Sequence, residues 1–542
     1  MENATSFRDD AVVGDTLGDL LGDGQLGGAR LDDELDILGD VPPVETPRSA
    51  IRGPVQGEPG LRPLFPPSWL RRGVAALIAG LVLAPAVALV LAVIVLSPDV
   101  GLATVRTWAW GPFSLVYSVT RPPATLVAAA LGLGTATILL TAGLTLWFLR
   151  ASRTSLDPST YPLSPHKIMV ATRGRFDGPV TITVVIPAHN EVERLPATLA
   201  SLSAQSRPPD RVLVVADNCT DGTEQAARAA GAEVRTTVGN RDKKAGALNQ
   251  ALHDLLPDAG HNDVIMVMDA DTVLSDGFLE AAQRRFTQDR ALMALGGIFT
   301  GEPGHGLLGV FQRNEYLRYG RTVARRRGMV DVLTGTSTLF RPLALLTVAQ
   351  SRGHALPGHP GEVYDTCALT EDNEITIGLR SLGALMVSPG ECTVVTELMP
   401  SWRDLWRQRL RWQRGAVENI GAYGVTRATF RYWMQQLGIG YGTLALTAYL
   451  ACMLILIGAS DTWVWFPFWL GVGSVFALER VVTAWKAGWV GRAVAVTLIP
   501  ELLYDLFLDV VYVYGLVQIT LARRADWGHE RQDATPEAEA LA

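Results

Sequence analysis

Cysteine is scarce in this chain. Only Cys219, Cys367, Cys392 and Cys452 occur in 542 residues, with no Cys-x-x-Cys pair. That excludes a disulfide framework and a cysteine zinc site, and fits reduced thiols facing a cytosol. A basic n-region is also missing: acidic residues come first and the first apolar run starts only near Gly73, so no secretory signal peptide is expected. The absence of a Gly-x4-Gly-Lys-Ser/Thr spacing excludes a P-loop. No basic excess extends along the central part, which argues against nucleic acid as a partner. Residues 1–50 hold almost no aromatics and set twelve Asp and Glu against Arg8, Arg30 and Arg48, more than accounting for the net charge of −7. Such a composition cannot bury enough surface to offset its ordering entropy, so residues 1–70 read as a disordered acidic tail.

What the chain does have is apolar sequence, 48% of it hydrophobic. Runs at 73–97 and 124–149 each reach the ~20 residues a helix needs to span hydrocarbon, giving two transmembrane helices within 71–150. Arg71 and Arg72 ahead of the first put the N-terminus on the cytoplasmic side. Two further runs lie at 437–459 and 463–478, within a 436–521 segment of two or more transmembrane or interfacial helices. In the last stretch, 489–521, Pro500 interrupts, and Glu501, Asp505 and Asp509 recur on one helical face. Those carboxylates fit either a face turned into protein or a water-filled path, or the solvated side of an interfacial helix. Residues 522–542 form a C-terminal tail.

Between these runs, residues 151–400 alternate strands and helices. "VTITVVIPAHNE", "RVLVVADNCTDGT" and "DVIMVMDADT" are buried strands ending in polar turns, and "ERLPATLASLSAQ" has helical periodicity. This rhythm predicts an α/β domain with a mainly parallel sheet, whose ligands sit beyond the carboxyl ends of the strands. Asp217, Asp269 and Asp271 fall there. An Asp-x-Asp pair at a strand end can serve one hard cation such as Mg²⁺ or Mn²⁺ together with substrate phosphates; Asp is equally at home in turns and helix caps.

"NRDKKAGALNQAL" sets Lys243, Lys244 and Gly246 just before a helix, where ammonium and backbone N–H groups suit phosphate and also suit a solvated helix start. In "ALTEDNEITIGLRSLG", Thr370 reads as an N-cap with acidic residues in the first turn, and a carboxylate at this place could instead act as a general base. "SWRDLWRQRLRWQRG" begins at Ser401 as a helix start. Its Arg403, Arg407, Arg411 and Arg414 make a stripe at helical spacing, so 401–435 is expected as amphipathic helices at the membrane surface. In the Gly-, His- and Pro-rich "RGHALPGHPGEVYD", His354 and His359 read as ordinary loop residues.

Taken in order, "PAHNE", "ADNCTDGT", "KAGALN", "DAD", "TED" and "QRLRW" resemble the processive membrane glycosyltransferases of family 2, the group of cellulose, chitin, hyaluronan and poly-N-acetylglucosamine synthases. The resemblance covers residues 180–415. It implies a GT-A-type nucleotide-sugar-binding domain inserted between transmembrane helices of a cell membrane, catalytic domain cytoplasmic, with Mg²⁺ or Mn²⁺ as cofactor. By that resemblance Asp217 and the Ala188 to Glu191 turn hold uridine, Asp269 contacts the nucleotide, Asp271 binds the metal and Lys244 assists nucleotide or phosphate. Asp372 deprotonates the acceptor hydroxyl, and Gln408, Arg411 and Trp412 of the Gln-x-x-Arg-Trp motif face acceptor and diphosphate. The implied activity is inverting transfer from a UDP-sugar, with a lean to UDP-N-acetylglucosamine, onto a growing β-linked polysaccharide that is also translocated. A non-processive transferase making a membrane glycolipid is the alternative, so the acceptor is a glycan or a lipid. Two departures stand out: Ala216 replaces the first Asp of the family's frequent Asp-Asp pair, and neither a cyclic-dinucleotide-binding domain nor a Phe-x-Val-Thr gating segment is found, which makes bacterial cellulose synthase itself a poor match.

Overall fold

The computed structural model describes residues 107–110, 113–116, 161–172, 179–326, 328–459, 463–465 and 467–523. The acidic tail, the two spans expected at 73–97 and 124–149, and the tail beyond 523 lie outside the described residues. Early in the chain, β1 (Thr107–Trp110) and β2 (Phe113–Val116) pair antiparallel.

A seven-stranded sheet organises the central part. β3 (Thr181–Ala188), β4 (Arg211–Ala216), β5 (Glu233–Thr236) and β6 (Asp263–Met268) run parallel in the order β6-β3-β4-β5. Beyond β6, β10 (Ser337–Phe340) runs antiparallel between β6 and β8 (Leu292–Gly296), and β11 (Leu385–Val387) pairs parallel with β8. The mainly parallel α/β sheet expected from the strand rhythm is therefore present, with one antiparallel strand inside it.

The near-continuous apolar runs of β3, β4 and β6 follow from burial on both faces. Side chains alternate: Val185, Val215, Ile265 and Val267 pack under α4 (Lys243–Leu255) and α7 (Pro342–Ser351). Ile182, Val184, Ile186, Val214 and Met266 pack under α2 (Leu195–Ser203) and α5 (Phe278–Gln288). Each fully buried Val, Ile or Leu contributes about 1.5–3 kcal/mol, so this double cover fixes the register of the central strands. A second, small sheet orders β7 (Val273–Leu274), β12 (Thr393–Thr396) and β9 (Ile298–Gly301), with β12 parallel to β9.

Past the sheets the chain is helical. α6 (Gly306–Arg325) and α8 (Glu371–Ser381) belong to the α/β part, and α9 (Trp402–Tyr423) carries the Arg- and Trp-rich run. Ser401 caps α9 as expected, accepting from the Asp404 N–H at 3.2 Å. α10 (Phe430–Ala459) is one unbroken helix, crossing the boundary expected at 435/436. The run expected as a span at 463–478 opens instead with β13 (Trp463–Trp465), which adds parallel to β2, before α11 (Pro467–Thr483). α12 (Gly488–Thr497) and α13 (Ile499–Thr520) are separated at Leu498 (φ 56°), so Pro500 sits in the first turn of α13, where its missing N–H is no loss. Among the described residues, α13 is the one helix long and apolar enough to cross a membrane by length and composition.

The carboxylate face of α13 turns into protein. Glu501, 1% exposed, accepts from Asn314 (2.9 Å) and pairs with Arg318 (3.0 Å) and Arg480 (3.2 Å). Asp505 pairs with Arg480 at 2.5 Å, and Asp509 accepts from Thr443 at 2.8 Å. These contacts tie α13 to α6, α10 and α11, and decide between the two readings that the sequence left open. The expected Arg stripe on α9 is likewise interrupted. Arg414 is buried against Glu418 and Gln518, and off-stripe Arg409 forms a bidentate pair with Glu315 (2.7 and 2.9 Å). Trp402 and Trp406 pack edge-on against Phe507 of α13, so these two indole rings hold one helix to another.

Candidate active site

Register places the acidic residues at one edge. Ala188 pairs with Ala216 and Val185 with Val267, so β3, β4 and β6 end together and release Asp217 and Asp269 from their carboxyl ends. Antiparallel β10 enters at the same edge, Ser337 opposite Met268, which brings the 334–336 turn alongside. The turns after β3 and β4 each contain an asparagine with positive φ, Asn190 (57°) and Asn218 (48°), a conformation that Asn tolerates better than most residues. Asn190 Oδ1 accepts the Thr220 N–H at 2.8 Å and links the two turns.

At one end of this edge Asp217 is buried. Its N–H donates to Ala188 O (2.8 Å), and Oδ1 accepts from Thr237 and Asn240, both at 2.8 Å, and from Asn218 at 3.1 Å. Three donors on one oxygen fix the carboxylate. Thr237 and Asn240 were not identified from sequence; the signal was a polar cluster between β5 and α4.

At the centre Lys244, in the first turn of α4 rather than ahead of it, reaches Asp269 Oδ1 at 2.5 Å and Glu371 Oε1 at 2.7 Å. Burial works against the ammonium, but the two carboxylates raise it well above the ordinary lysine value, so it stays charged. Burial likewise pushes Glu371 up, and the neighbouring Lys244 more than offsets this, leaving it below the usual carboxylate value. Arg411 adds to that lowering, which puts its charge within electrostatic reach of Glu371.

Asp372 follows directly. Its Oδ2 accepts the Gly335 N–H at 3.1 Å and its Oδ1 the Asn373 N–H at 2.7 Å. Burial and the adjacent Glu371 raise its carboxyl from 3.8 to about 6, against the lowering effect of Lys244 and the two N–H groups. Gly335 is the floor of this site: a Cβ there would lie 2.9 Å from Lys244 Nζ and 3.5 Å from Asp269 Oδ2. The sequence signal for it was a glycine between threonines just before an apolar run.

Asp271 lies on the far side of Asp269. Burial, then Asp269, Glu191 and Glu397, push it up from 3.8 to about 7. Glu191 is itself raised by burial and by Glu397 and Asp269. Glu397, delivered by the end of β12, pairs with Arg194 at 2.9 Å. This all-oxygen set suits a hard cation. Among the described residues no three His, Cys, Asp or Glu side chains converge to hold an ion unaided.

Residues 179–415 match a family model described as glycosyltransferase like family 2. This part of the chain is a family 2 glycosyltransferase domain. Over 248 residues the chain is 25% identical to poly-beta-1,6-N-acetyl-D-glucosamine synthase of Staphylococcus aureus (strain COL), covering 44% of this chain and 55% of that protein. Over 210 residues it is 31% identical to 4,4'-diaponeurosporenoate glycosyltransferase of Staphylococcus haemolyticus (strain JCSC1435), covering 38% and 50%. The chain thus spans about half the length of the curated relatives it matches. Among solved structures, the mannosyltransferase PcManGT from Pyrobaculum calidifontis, in complex with GDP-Man and Mn²⁺, aligns over 71% of this chain and 98% of its own, with 17% identity and a TM-score of 0.43.

The Gln-x-x-Arg-Trp motif lies on α9, where the match to the family model ends at residue 415. Gln408 Oε1 is buried and has no hydrogen-bond partner among the described residues. The Arg409 guanidinium covers one ring face of Trp412, 4.6 Å from its centroid. Further along the same face, Gly415 abuts Thr370, where a Cβ would lie 2.4 Å from the hydroxyl oxygen. Asn419 donates to Thr370 O (3.1 Å) and Oγ1 (3.2 Å), and Tyr423 donates to Glu374 Oε1 at 2.5 Å. Thr370 therefore stands at the N-cap position of α8 without capping it, contrary to expectation, because its hydroxyl faces α9. Behind Glu374, fully buried Arg352 pairs with both carboxylate oxygens and also donates to Pro357 O and Val363 O. This pins the His- and Gly-rich loop. None of Arg352, Glu374, Asn419 and Tyr423 was identified from sequence, because their pairings are long-range.

Proposed function

We propose that the chain is an inverting glycosyltransferase that moves a sugar from a UDP-sugar to a growing β-linked glycan at a membrane, with α13 and the apolar runs outside the described residues embedding it. The observation that carries this reading is the cluster of Lys244, Asp269, Glu371, Asp372 and Gly335 at the carboxyl ends of the parallel strands, with Asp271 beside it.

In this account Asp217 holds the uridine together with the segment from Ala188, at the end of β3, to Glu191. Asp269 contacts the nucleotide. Lys244 exchanges a carboxylate partner for diphosphate oxygens when donor enters, and Arg411 adds a second cation on that side. Asp271 would hold Mg²⁺ or Mn²⁺, which when bound would supply charge neutralisation for the departing UDP. Gln408 accepts a hydroxyl hydrogen bond from the acceptor sugar, an interaction favoured because its buried oxygen is otherwise unpaired. The half-buried Trp412 offers ring surface to the same sugar. As the acceptor oxygen bonds to the anomeric carbon, the bond from that carbon to the UDP oxygen breaks and the hydroxyl proton passes to Asp372. The bonds from the Gly335 and Asn373 N–H groups orient that carboxylate without neutralising it.

Similarity to the poly-N-acetylglucosamine synthase supports UDP-N-acetylglucosamine as donor and a processive product. A second reading, a single transfer onto a membrane lipid, is favoured by the relative named as a diaponeurosporenoate glycosyltransferase, which has the higher identity of the two. Incubating the full chain with labelled UDP-N-acetylglucosamine and Mn²⁺ tests both. High-molecular-weight aqueous label is the expected result, organic-soluble label supports the glycolipid reading instead, and no transfer from any UDP-sugar overturns both.

A further inference from the structure

A groove of about 490 Å³ separates the glycosyltransferase domain from the turn between α11 and α12. Thr300, Gly301, Arg313 and Asn314 line it on one side, Lys486 and Trp489 on the other. It lies apart from the catalytic edge and has no role in the chemistry above. Three features point to its ligand. Among the described residues Arg313 uses only Nη1, donating to Glu302 O and Gly304 O at 2.9 Å each, and its remaining donors find no partner there. Lys486 is exposed and has no ion-pair or hydrogen-bond partner among the described residues. Asn314 is 0% exposed, spends its Nδ2 on Glu501 and Gly491, and leaves Oδ1 with no partner among the described residues.

Nearby carboxylates are neutralised within the protein, Glu501 by Arg318 and Arg480, Glu302 by Arg194. The groove is therefore cationic, with one buried acceptor that requires a donor. Its rim is apolar: Trp485, Trp489 and Val490 are 54%, 78% and 55% exposed, and the surface continues over Ile499 (67%) and Leu503 (57%) of α13. Indole rings beside basic side chains are the composition of a membrane–water interface. A neutral glycan would leave both cations unmatched.

We infer that this groove binds the headgroup of an acidic glycerophospholipid, its phosphate between Arg313 and Lys486 and a headgroup hydroxyl donating to Asn314 Oδ1. The acyl chains run out over Trp489 and α13. The lipid then joins the glycosyltransferase domain to the membrane surface. The inference rests on the membrane reading proposed above.

Native mass spectrometry of the detergent-purified full chain tests it, with phosphatidylglycerol and phosphatidylcholine of matched acyl chains as probes. Phosphatidylglycerol is expected to be retained preferentially. Lys486→Gln lowers that preference about fivefold, the factor for ~1 kcal/mol per basic residue at an anionic surface, and Lys486→Arg restores it. Equal retention of the two lipids, retention of neither, or no effect of Lys486→Gln overturns the inference. Displacement of the lipid by an equal concentration of glycerol 1-phosphate overturns it in favour of a free phosphate ester. UDP release by the same samples reads sugar transfer separately. Lipid preference without UDP release leaves the groove standing and fells the transferase reading, and the converse fells the groove alone.

Discussion

The carboxyl of Asp372 sets a pH dependence that the assigned chemistry must obey. Held near 6 by burial and by Glu371, it accepts a proton only as the carboxylate, so activity is gained as pH rises through that value and lost below it. With one titration at about 6, the ionised fraction climbs from about 9% at pH 5 to about 91% at pH 7, a tenfold rise in kcat/KM followed by a plateau. An unperturbed aspartate near 3.8 would give an almost flat profile over the same range. Lys244 stays charged throughout and adds no limb. Asp271, raised to about 7, could add one, because a bound cation must displace its proton. UDP release is therefore followed from pH 4.5 to 8 at saturating Mn²⁺, where Asp271 remains ionised. Repeating the series at limiting Mn²⁺ should move the apparent midpoint upward. Removing the charge that raises Asp372, as Glu371→Gln, should shift the saturating-metal midpoint downward. A flat profile between pH 5 and 7, or a midpoint unmoved by Glu371→Gln, would refute the assignment of Asp372 as base.

Other perturbations follow from the same geometry. Gly335→Ala forces a methyl to 2.9 Å from Lys244 Nζ, and displacing the ammonium by that clash should cost about 10²-fold in kcat with the fold intact by circular dichroism. Tyr423→Phe removes a hydroxyl from the buried Glu374 carboxylate and should lower the free energy of urea unfolding by about 1.5–3 kcal/mol. Arg352→Ala strands that carboxylate, a loss of about 3–5 kcal/mol that should appear as failure to recover folded protein. Pairing Arg352→Met with Glu374→Leu should restore much of the yield.

Much of the candidate site was legible because its signals are local. Apolar runs long enough to be buried on both faces, each closed by an acidic residue and turn formers, place Asp217, Asp269 and Asp271 at strand ends with no knowledge of tertiary contacts. What joins them was not legible. Lys244 and Asp269 are 25 residues apart, and Arg352 and Glu374 are 22 apart. Distances of that kind are set by sheet order, which no periodicity encodes. Thr370 is the instructive miss. Its sequence favours capping, but Gly415 lets α9 approach so closely that the hydroxyl serves Asn419 instead, a case of packing overriding a local preference. On α13 the spacing of Glu501, Asp505 and Asp509 defined one face correctly. The partners that decide what the face does, Arg318 on α6 and Arg480 on α11, lie 183 and 21 residues away.

The central claim is transfer from a UDP-sugar through Asp372, and UDP release by the full chain and by Asp372→Asn tests it most directly. UDP affinity is measured on the same two preparations by calorimetry. The account predicts Mn²⁺-dependent UDP release by the unaltered chain, a fall of about 10²–10⁴-fold in Asp372→Asn, and unchanged UDP affinity. Asp372→Asn turning over at the unaltered rate, with UDP bound equally well by both, would contradict it.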